Sequence, residues 1–214
     1  MRIAVYIFVF LVSSTLFAQK KILKSIQTNA NSINIQTSGL DHIVLENSEA
    51  NFIEVMLYAE DYDHQLIKID SKQNEVDIAF EFEGFETREV IFRKYITKRL
   101  QRAYAVVRIP SDKKVMIFGT NVDIESFNIK DDLSIFIENG IIKLNEVLAN
   151  TAVNFYSGNI FATVAHTNLT ITSSEGKIAW NTKEYKNQIR YVAKENDKQL
   201  SIQTIKANVF LTSQ

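Results

Sequence analysis

Apolar and polar residues alternate with a period of two along most of the chain. Successive side chains of a β-strand point to opposite faces of a sheet, so this pattern predicts strands with one buried face. The apolar spacing of three and four positions that is typical of helices is absent from residues 20–80. The alternation therefore predicts an all-β protein. Its clearest segments are Ile33/Ile35, Ile43/Leu45, Ile53/Val55/Leu57, Val76/Ile78/Phe80, Leu200/Ile202 and Val209/Leu211.

A repeat is visible between positions 118 and 180. Gly140, Gly158 and Gly176 are evenly spaced, and an isoleucine follows each glycine two positions later. An alternating apolar pair precedes each glycine, and a looser copy surrounds Gly119. A fixed period of this length is typical of repeat architectures, in which each unit buries its apolar face against its neighbours.

Each repeat is interpreted as one coil, in which two short strands meet at a glycine that adopts a positive φ. Equivalent inward side chains then form columns, and we expect Ile135 over Phe155 over Ile171 in one of them. The prediction is a single-domain β-solenoid that resembles a β-helix or a β-roll, with coils of about 18–21 residues. The coils are expected to be regular over about 112–181. The alternative is a set of antiparallel hairpins whose glycines are evenly spaced by chance. The second predicted column contains Ile142, Ile160 and Ile178.

The N-terminal segment 1–18 has the pattern of a secretory signal peptide. Arg2 precedes the apolar run Ile3 to Val12, and a polar-to-small segment ends at Ala18. The run is short for a membrane span, although an uncleaved anchor is the alternative. Cleavage would leave 19–214 as one exported domain without a second apolar run, which would not span a membrane. The expected location is the periplasm or the cell surface.

Composition narrows the function classes. The formal net charge is −1, which disfavours general nucleic-acid binding. The chain has no cysteine, so an exported form would depend on packing rather than disulfides, as suits a bacterial envelope. Six glycines and one proline are too few to mark a linker between domains.

Two regions flank the regular repeat. Residues 20–80 predict irregularly spaced strands that form the first coils and a hairpin covering one end, and the strands after 188 are expected to close the far end.

Residues 81–105 form a charged insertion whose basic residues would suit an anionic polymer or a lipid headgroup. The alternative is a solvated hairpin or short helix. The basic residues of this insertion are Arg93, Lys94, Lys98, Arg99 and Arg102.

The segment Ile109-Pro110 ends a strand and is followed by a polar turn and by coils with glycine at the corner. Together with Gly119, Gly140-Ile142 and the segments 153–160 and 169–178, it resembles the putative-adhesin domain family of exported bacterial β-solenoids. The resemblance covers roughly residues 30 to 212. Family coils commonly contain Ser-Gly-Asp, where this chain has Asn-Gly-Ile, Ser-Gly-Asn and Glu-Gly-Lys. It implies the fold and an envelope location, and it brings no catalytic residues.

No pattern indicates catalysis, a metal or a cofactor. The histidines His42, His64 and His166 are far apart in the sequence and lack partners at metal-ligand spacing. The pair Asp131-Asp132 is interpreted as a solvated turn, since calcium requires several converging oxygens. Nucleophile elbows, phosphate loops and dinucleotide fingerprints are absent from the sequence.

Aromatic side chains suggest a contact surface. If the predicted columns point inward, Phe136 and Tyr156 point outward at equivalent positions of successive coils, and Phe161 points outward after Gly158. Exposed aromatics on one face favour a contact with another chain or a glycan. The alternative is that the charged insertion or a terminal strand covers them.

The sequence therefore favours a non-enzymatic exported envelope protein, an adhesin or an assembly module. Its expected partner is an envelope protein or a surface glycan, and a homo-oligomer is compatible with the pattern. The alternatives are a carbohydrate-active β-helix enzyme, which needs a groove of charged residues across several coils, and a periplasmic signalling partner.

Overall fold

The computed structural model describes residues 20–59, 65–82, 103–194 and 198–214. These residues form strands joined by short turns, and no helix occurs among them. No helix within these ranges is long and apolar enough to cross a membrane. The strands are β1 (Lys20–Gln27), β2 (Ser32–Gln36), β3 (His42–Ser48), β4 (Phe52–Ala59), β5 (Gln65–Ser71), β6 (Glu75–Phe82), β7 (Tyr104–Pro110), β8 (Lys114–Asn121), β9 (Asp123–Phe127), β10 (Asp132–Leu144), β11 (Thr151–Val164), β12 (Asn168–Ser173), β13 (Ile178–Trp180), β14 (Lys183–Tyr185), β15 (Gln188–Tyr191), β16 (Gln199–Thr204) and β17 (Asn208–Ser213).

The described strands belong to one hydrogen-bonded sheet that does not close on itself. Their pairings divide into two series, which we call ladder A and ladder B. The long strands β10 and β11 take part in both, with their first halves in ladder A and their second halves in ladder B. Ladder A runs β5-β6-β2-β8-β10-β11-β16-β12-β15, and ladder B runs β1-β4-β7-β3-β9-β10-β11-β17-β13-β14.

Most neighbours in both ladders are parallel, and the central ones are offset by the interval that separates the repeat glycines. Leu133 pairs with Thr151 and with Val115, and Ile142 pairs with Ile160 and with Ile124. The sequence period therefore corresponds to the register in which β8, β9, β10 and β11 pair.

The stacking order departs from the sequence order at the C-terminal end. Strands β16 and β17 lie between β11 and the pair β12 and β13, so 168–180 does not pack directly on 151–164. The expectation that the strands after 188 all close the far end is wrong for these two. Among the described strands, β14 and β15 alone lie at that end, and both pair antiparallel.

The first predicted column needs a register shift of two residues, and each of the two columns gains one inserted residue. Ile135 pairs with Val153 rather than with Phe155, and Ile202 intervenes between Val153 and Ile171. In the second column Val209 intervenes between Ile160 and Ile178. A shift of two residues keeps the same side chains facing inward, so the sequence pattern cannot distinguish the two registers.

The corrected columns form the core between the two ladders. Their members are buried, and each buried isoleucine or valine side chain contributes about 1.5–3 kcal/mol. In ladder A the column is Ile78, Ile35, Ile117, Ile135, Val153, Ile202, Ile171 and Ile189; in ladder B it is Leu57, Ala105, Ile43, Ile124, Ile142, Ile160, Val209 and Ile178.

Gly140 and Gly158 lie where β10 and β11 pass from ladder A to ladder B. Their φ angles are +145° and +131°, values that L-residues with a side chain rarely adopt. A Cβ at Gly158 would lie 2.0 Å from the Gly140 carbonyl oxygen, and one at Gly140 would lie 2.1 Å from the Val122 oxygen. The two glycines therefore permit both the change of direction and the close approach of neighbouring strands.

The other end of the sheet is formed by antiparallel strands. As the sequence predicted, a hairpin from residues 20–80 lies there, since β5 pairs with β6 at the end of ladder A. In ladder B the N-terminal strand β1 pairs with β4. The ammonium of Lys24 donates to the Ile67 carbonyl oxygen (3.1 Å) and so connects the two edges.

Candidate functional site

A row of outward-facing side chains crosses ladder A at right angles to the strands. Its central members are Phe118 and Phe136, whose rings are parallel within 9° and 5.2 Å apart. The register places Phe136 between Phe118 and Asn154, so one face of the Phe136 ring is directed toward Phe118 and the other toward Asn154. We call this set the outer row; its members are Gln36, Phe118, Phe136, Asn154, Gln203 and Thr172.

A shallow groove of about 320 Å³ lies at the end of the outer row where the rings give way to smaller side chains. Tyr156 and Ile205, both more than two-fifths exposed, supply its apolar surface. The Lys206 ammonium lies 5.7 Å from the centre of the Tyr156 ring and 4.0 Å from the Glu175 carboxylate. Polar lining comes from Asn154, Thr172, Ser174, Gln203 and Thr204, and of these the Thr204 hydroxyl is hydrogen-bonded to the backbone.

The structure brings together two of the three aromatic residues singled out from the sequence. Phe136 and Tyr156 are 38% and 44% exposed on adjacent strands of ladder A. They are diagonal neighbours, because Phe136 pairs with Asn154, and the prediction that they occupy equivalent positions is wrong. Their role in an interaction stays a prediction.

Phe161 lies apart from the other two. It is 42% exposed, but it belongs to the half of β11 in ladder B, where it stacks on Phe210 at 5.2 Å. The expectation of a single aromatic face is therefore wrong, because the chain changes ladder at Gly158 between Tyr156 and Phe161. A third stacked pair, Tyr58 and Tyr104, also lies in ladder B.

The basic patch of the charged insertion lies outside the described residues, as does the predicted signal peptide. Within the described ranges, no group of three or more histidine, cysteine, aspartate or glutamate side chains could hold a metal ion. His42 lies on β3 beside Asp123, and His166 occupies an exposed turn with a φ of 49°. His64 is outside the described ranges.

Asp131 is a buried carboxylate, and the interpretation of a solvated Asp131-Asp132 turn is wrong for it. It is 1% exposed and accepts hydrogen bonds from the Lys113 backbone N–H (2.7 Å) and the Asn47 side-chain amide (2.5 Å). Burial raises the pKa of this carboxyl, against the lowering effect of the two hydrogen bonds. Asn47 also accepts from the Lys130 N–H (2.7 Å), so this cluster joins the turns that precede β8 and β10. Its role is structural.

Sequence reasoning missed most of the outer row. Phe118 carries a usable signal, because it precedes Phe136 by the same interval that separates the glycines. Gln203 and Ile205 carry none, since they reach the groove only because β16 inserts beside β11. The groove is thus assembled from segments whose adjacency is not visible in the sequence.

No protein-family model matches the chain, and no curated protein sequence matches it. A solved structure shares its fold. A crystal structure of a putative cell adhesion protein from Clostridium sporogenes ATCC 15579 superposes with a TM-score of 0.64 at 14% identity, covering 92% of this chain and 100% of that one. This likeness shows a common fold.

Two further solved structures superpose less well. A putative adhesin from Bacteroides fragilis NCTC 9343 has a TM-score of 0.30 at 15% identity, over 92% of this chain and 98% of its own. A putative adhesin from Parabacteroides merdae ATCC 43184 has a TM-score of 0.27 at 12% identity, over 91% and 96% of the two chains.

Proposed function

We propose that this chain is an exported, non-enzymatic interaction module of the bacterial cell envelope, an adhesin-like protein of the putative-adhesin family. Its architecture in this proposal is a β-solenoid in which each coil contributes one strand to each ladder. The parallel registers of β8, β9, β10 and β11, whose offset equals the spacing of the repeat glycines, support this architecture. So do the two glycines with positive φ where β10 and β11 change ladder.

The observation that carries the proposal is the outer row of ladder A. A parallel ladder offers a flat surface on which equivalent positions lie about 4.8 Å apart, and here that surface carries exposed rings beside a polar groove. Neighbouring exposed apolar side chains are a feature of contact surfaces. The Clostridium sporogenes protein with the same fold, described as a putative cell adhesion protein, adds support.

Non-enzymatic action is part of the proposal. The described polar residues near the groove are amides and hydroxyls, and its nearest charges, Lys206 and Glu175, face each other. A hydrolase of the glycosidase type needs two carboxyl groups about 5–10 Å apart across a substrate. Turnover of a panel of anionic and neutral polysaccharides by the purified protein would contradict this part.

The proposal is tested by locating the protein and its contacts in the cell. A C-terminally tagged chain is expressed in its host, the cells are fractionated, and its new N-terminus is sequenced. We expect cleavage after Ala18, recovery in the envelope fraction and crosslinks to an envelope protein or surface glycan. A chain that stays in the cytosol would overturn the proposal, and adducts only to periplasmic or inner-membrane signalling proteins would replace adhesion by signalling.

A further inference from the structure

We propose that the outer row and groove of ladder A form a binding site for a neutral oligosaccharide. This inference rests on the proposed function in one respect, that the chain is a binding module. It adds the chemical class of the ligand. The site would extend from Phe136 over Asn154 and Tyr156 to Gln203 and Thr172.

The first argument is the geometry of the Phe136 ring. Phe118 stacks against one of its faces, while the next position in the row is the smaller, exposed Asn154. A step from a ring to a shorter side chain leaves room beside the second face of the ring. The C–H groups of a pyranose pack on such a face, because the face of an aromatic ring carries partial negative charge.

The second argument is unused hydrogen-bonding capacity. The side chains of Asn154, Thr172, Ser174 and Gln203 make no hydrogen bond to any other described residue. Amides and hydroxyls both donate and accept, which matches the hydroxyl groups of a sugar.

Some other outward amides in the same fold are occupied by hydrogen bonds between neighbouring strands, unlike the amides of the groove. The Asn208 side chain donates to the Asn159 oxygen at 3.1 Å, and the Ser157 hydroxyl donates to the Asn139 oxygen. Those amides connect neighbouring strands. The amides of the groove have no such structural task among the described residues, so their shared face and spacing suit recognition of a ligand.

The third argument is charge. All six members of the outer row are uncharged, although ladder B carries Arg108, Glu46 and Glu54 in an ion-paired cluster on its outer face. Beside the groove the opposite charges of Lys206 and Glu175 are 4.0 Å apart, so they largely cancel. A neutral glycan fits this surface better than an anionic polymer does.

The experiment titrates the purified protein with cellohexaose, maltohexaose, xylohexaose and mannohexaose by calorimetry, with polygalacturonate as the anionic comparison. We expect one of the four neutral probes to bind. Phe136→Ala and Gln203→Ala are then expected to weaken binding about tenfold each, which corresponds to about 1.4 kcal/mol. Gln203 is exposed and outside the core, so its variant remains informative if loss of the Phe118 stack destabilises Phe136→Ala.

Phe161→Ala is the matched control, because Phe161 is an equally exposed, equally stacked ring on ladder B. Its variant should bind the probe as the wild type does. The inference is overturned if none of the neutral probes binds, if polygalacturonate binds more tightly, or if Phe161→Ala weakens binding as much as Phe136→Ala. Envelope location with protein crosslinks but no glycan binding would refute this inference alone, whereas glycan binding by a chain retained in the cytosol would refute only the proposed function.

Discussion

Substitution of Gly158 by alanine tests the close approach of β10 and β11. The new Cβ would lie 2.0 Å from the Gly140 carbonyl oxygen and 2.7 Å from the end of the Phe155 ring. Both distances are shorter than Cβ contacts in real proteins, and the carbonyl belongs to a backbone that is held by the parallel ladder. The strands would have to separate, which would weaken their hydrogen bonds.

The magnitude follows from two terms. A side chain held at a φ of +131° costs about 1–3 kcal/mol of backbone strain. Overpacking against fixed neighbours costs about 1–3 kcal/mol more. We therefore expect Gly158→Ala to lower the free energy of unfolding by roughly 2–6 kcal/mol, out of the 5–15 kcal/mol that is typical of a domain.

Two glycines serve as controls that separate the terms. Gly39 has a φ of 85° in an exposed turn, so Gly39→Ala should cost mainly strain, about 1 kcal/mol after the gain from a less flexible unfolded chain. A Cβ at Gly176 would lie 1.9 Å from the Ala207 oxygen, but Gly176 has no positive φ, so Gly176→Ala should cost mainly overpacking, about 1–3 kcal/mol.

The assay is urea unfolding, followed by far-ultraviolet circular dichroism and by the fluorescence of Trp180, the single tryptophan of the chain. We expect the destabilisation to increase in the order Gly39→Ala, Gly176→Ala, Gly158→Ala, with a similar slope against urea for all three. A Gly158→Ala variant that is destabilised no more than Gly39→Ala would refute the reasoning, because β10 and β11 would then tolerate a side chain between them.

The other predictions concern pH, a turn and the core. Burial raises the pKa of Asp131, so the stability linked to this carboxyl is present below its unfolded pKa and is lost as the pH rises through its folded pKa. The excess stability of the wild type over Asp131→Asn should therefore fall over that range of pH. An increase would contradict this prediction. A hydrogen bond from Lys72 holds the pKa of Asp77 below its ordinary value. The excess stability of the wild type over Asp77→Asn should therefore be lost as the pH falls through the folded pKa, and a profile that does not change with pH would refute this prediction. His166→Gly should raise the free energy of unfolding by about 0.5–1 kcal/mol, because the φ of 49° strains a histidine; a decrease would show that the imidazole makes stabilising contacts. Ile160→Val should cost about 0.5–1.5 kcal/mol in urea unfolding, and no loss would mean that the column is loosely packed.

The alternation of apolar residues determined the strands and their buried faces. Ile135, Ile142 and Ile160 were assigned to the core from sequence, and all three are buried. Local chemistry was readable in part, since Gly140 and Gly158 adopt the positive φ expected of the repeat glycines, whereas the expectation is wrong for Gly176. These features depend on a residue and its near neighbours, and they are therefore encoded within one short segment.

Only the tertiary structure decided which strands are neighbours and which residues form the groove. Any strand with the right alternation can bury its face against a parallel neighbour, so nothing local directs β16 and β17 into the stack between β11 and β12. A slip of two residues keeps every side chain on its face, which is why Phe155 and Val153 were equally good partners for Ile135 in the pattern. Gln203 lies beside Asn154 only because β16 pairs with β11, and the candidate glycan site depends on the same long-range pairing.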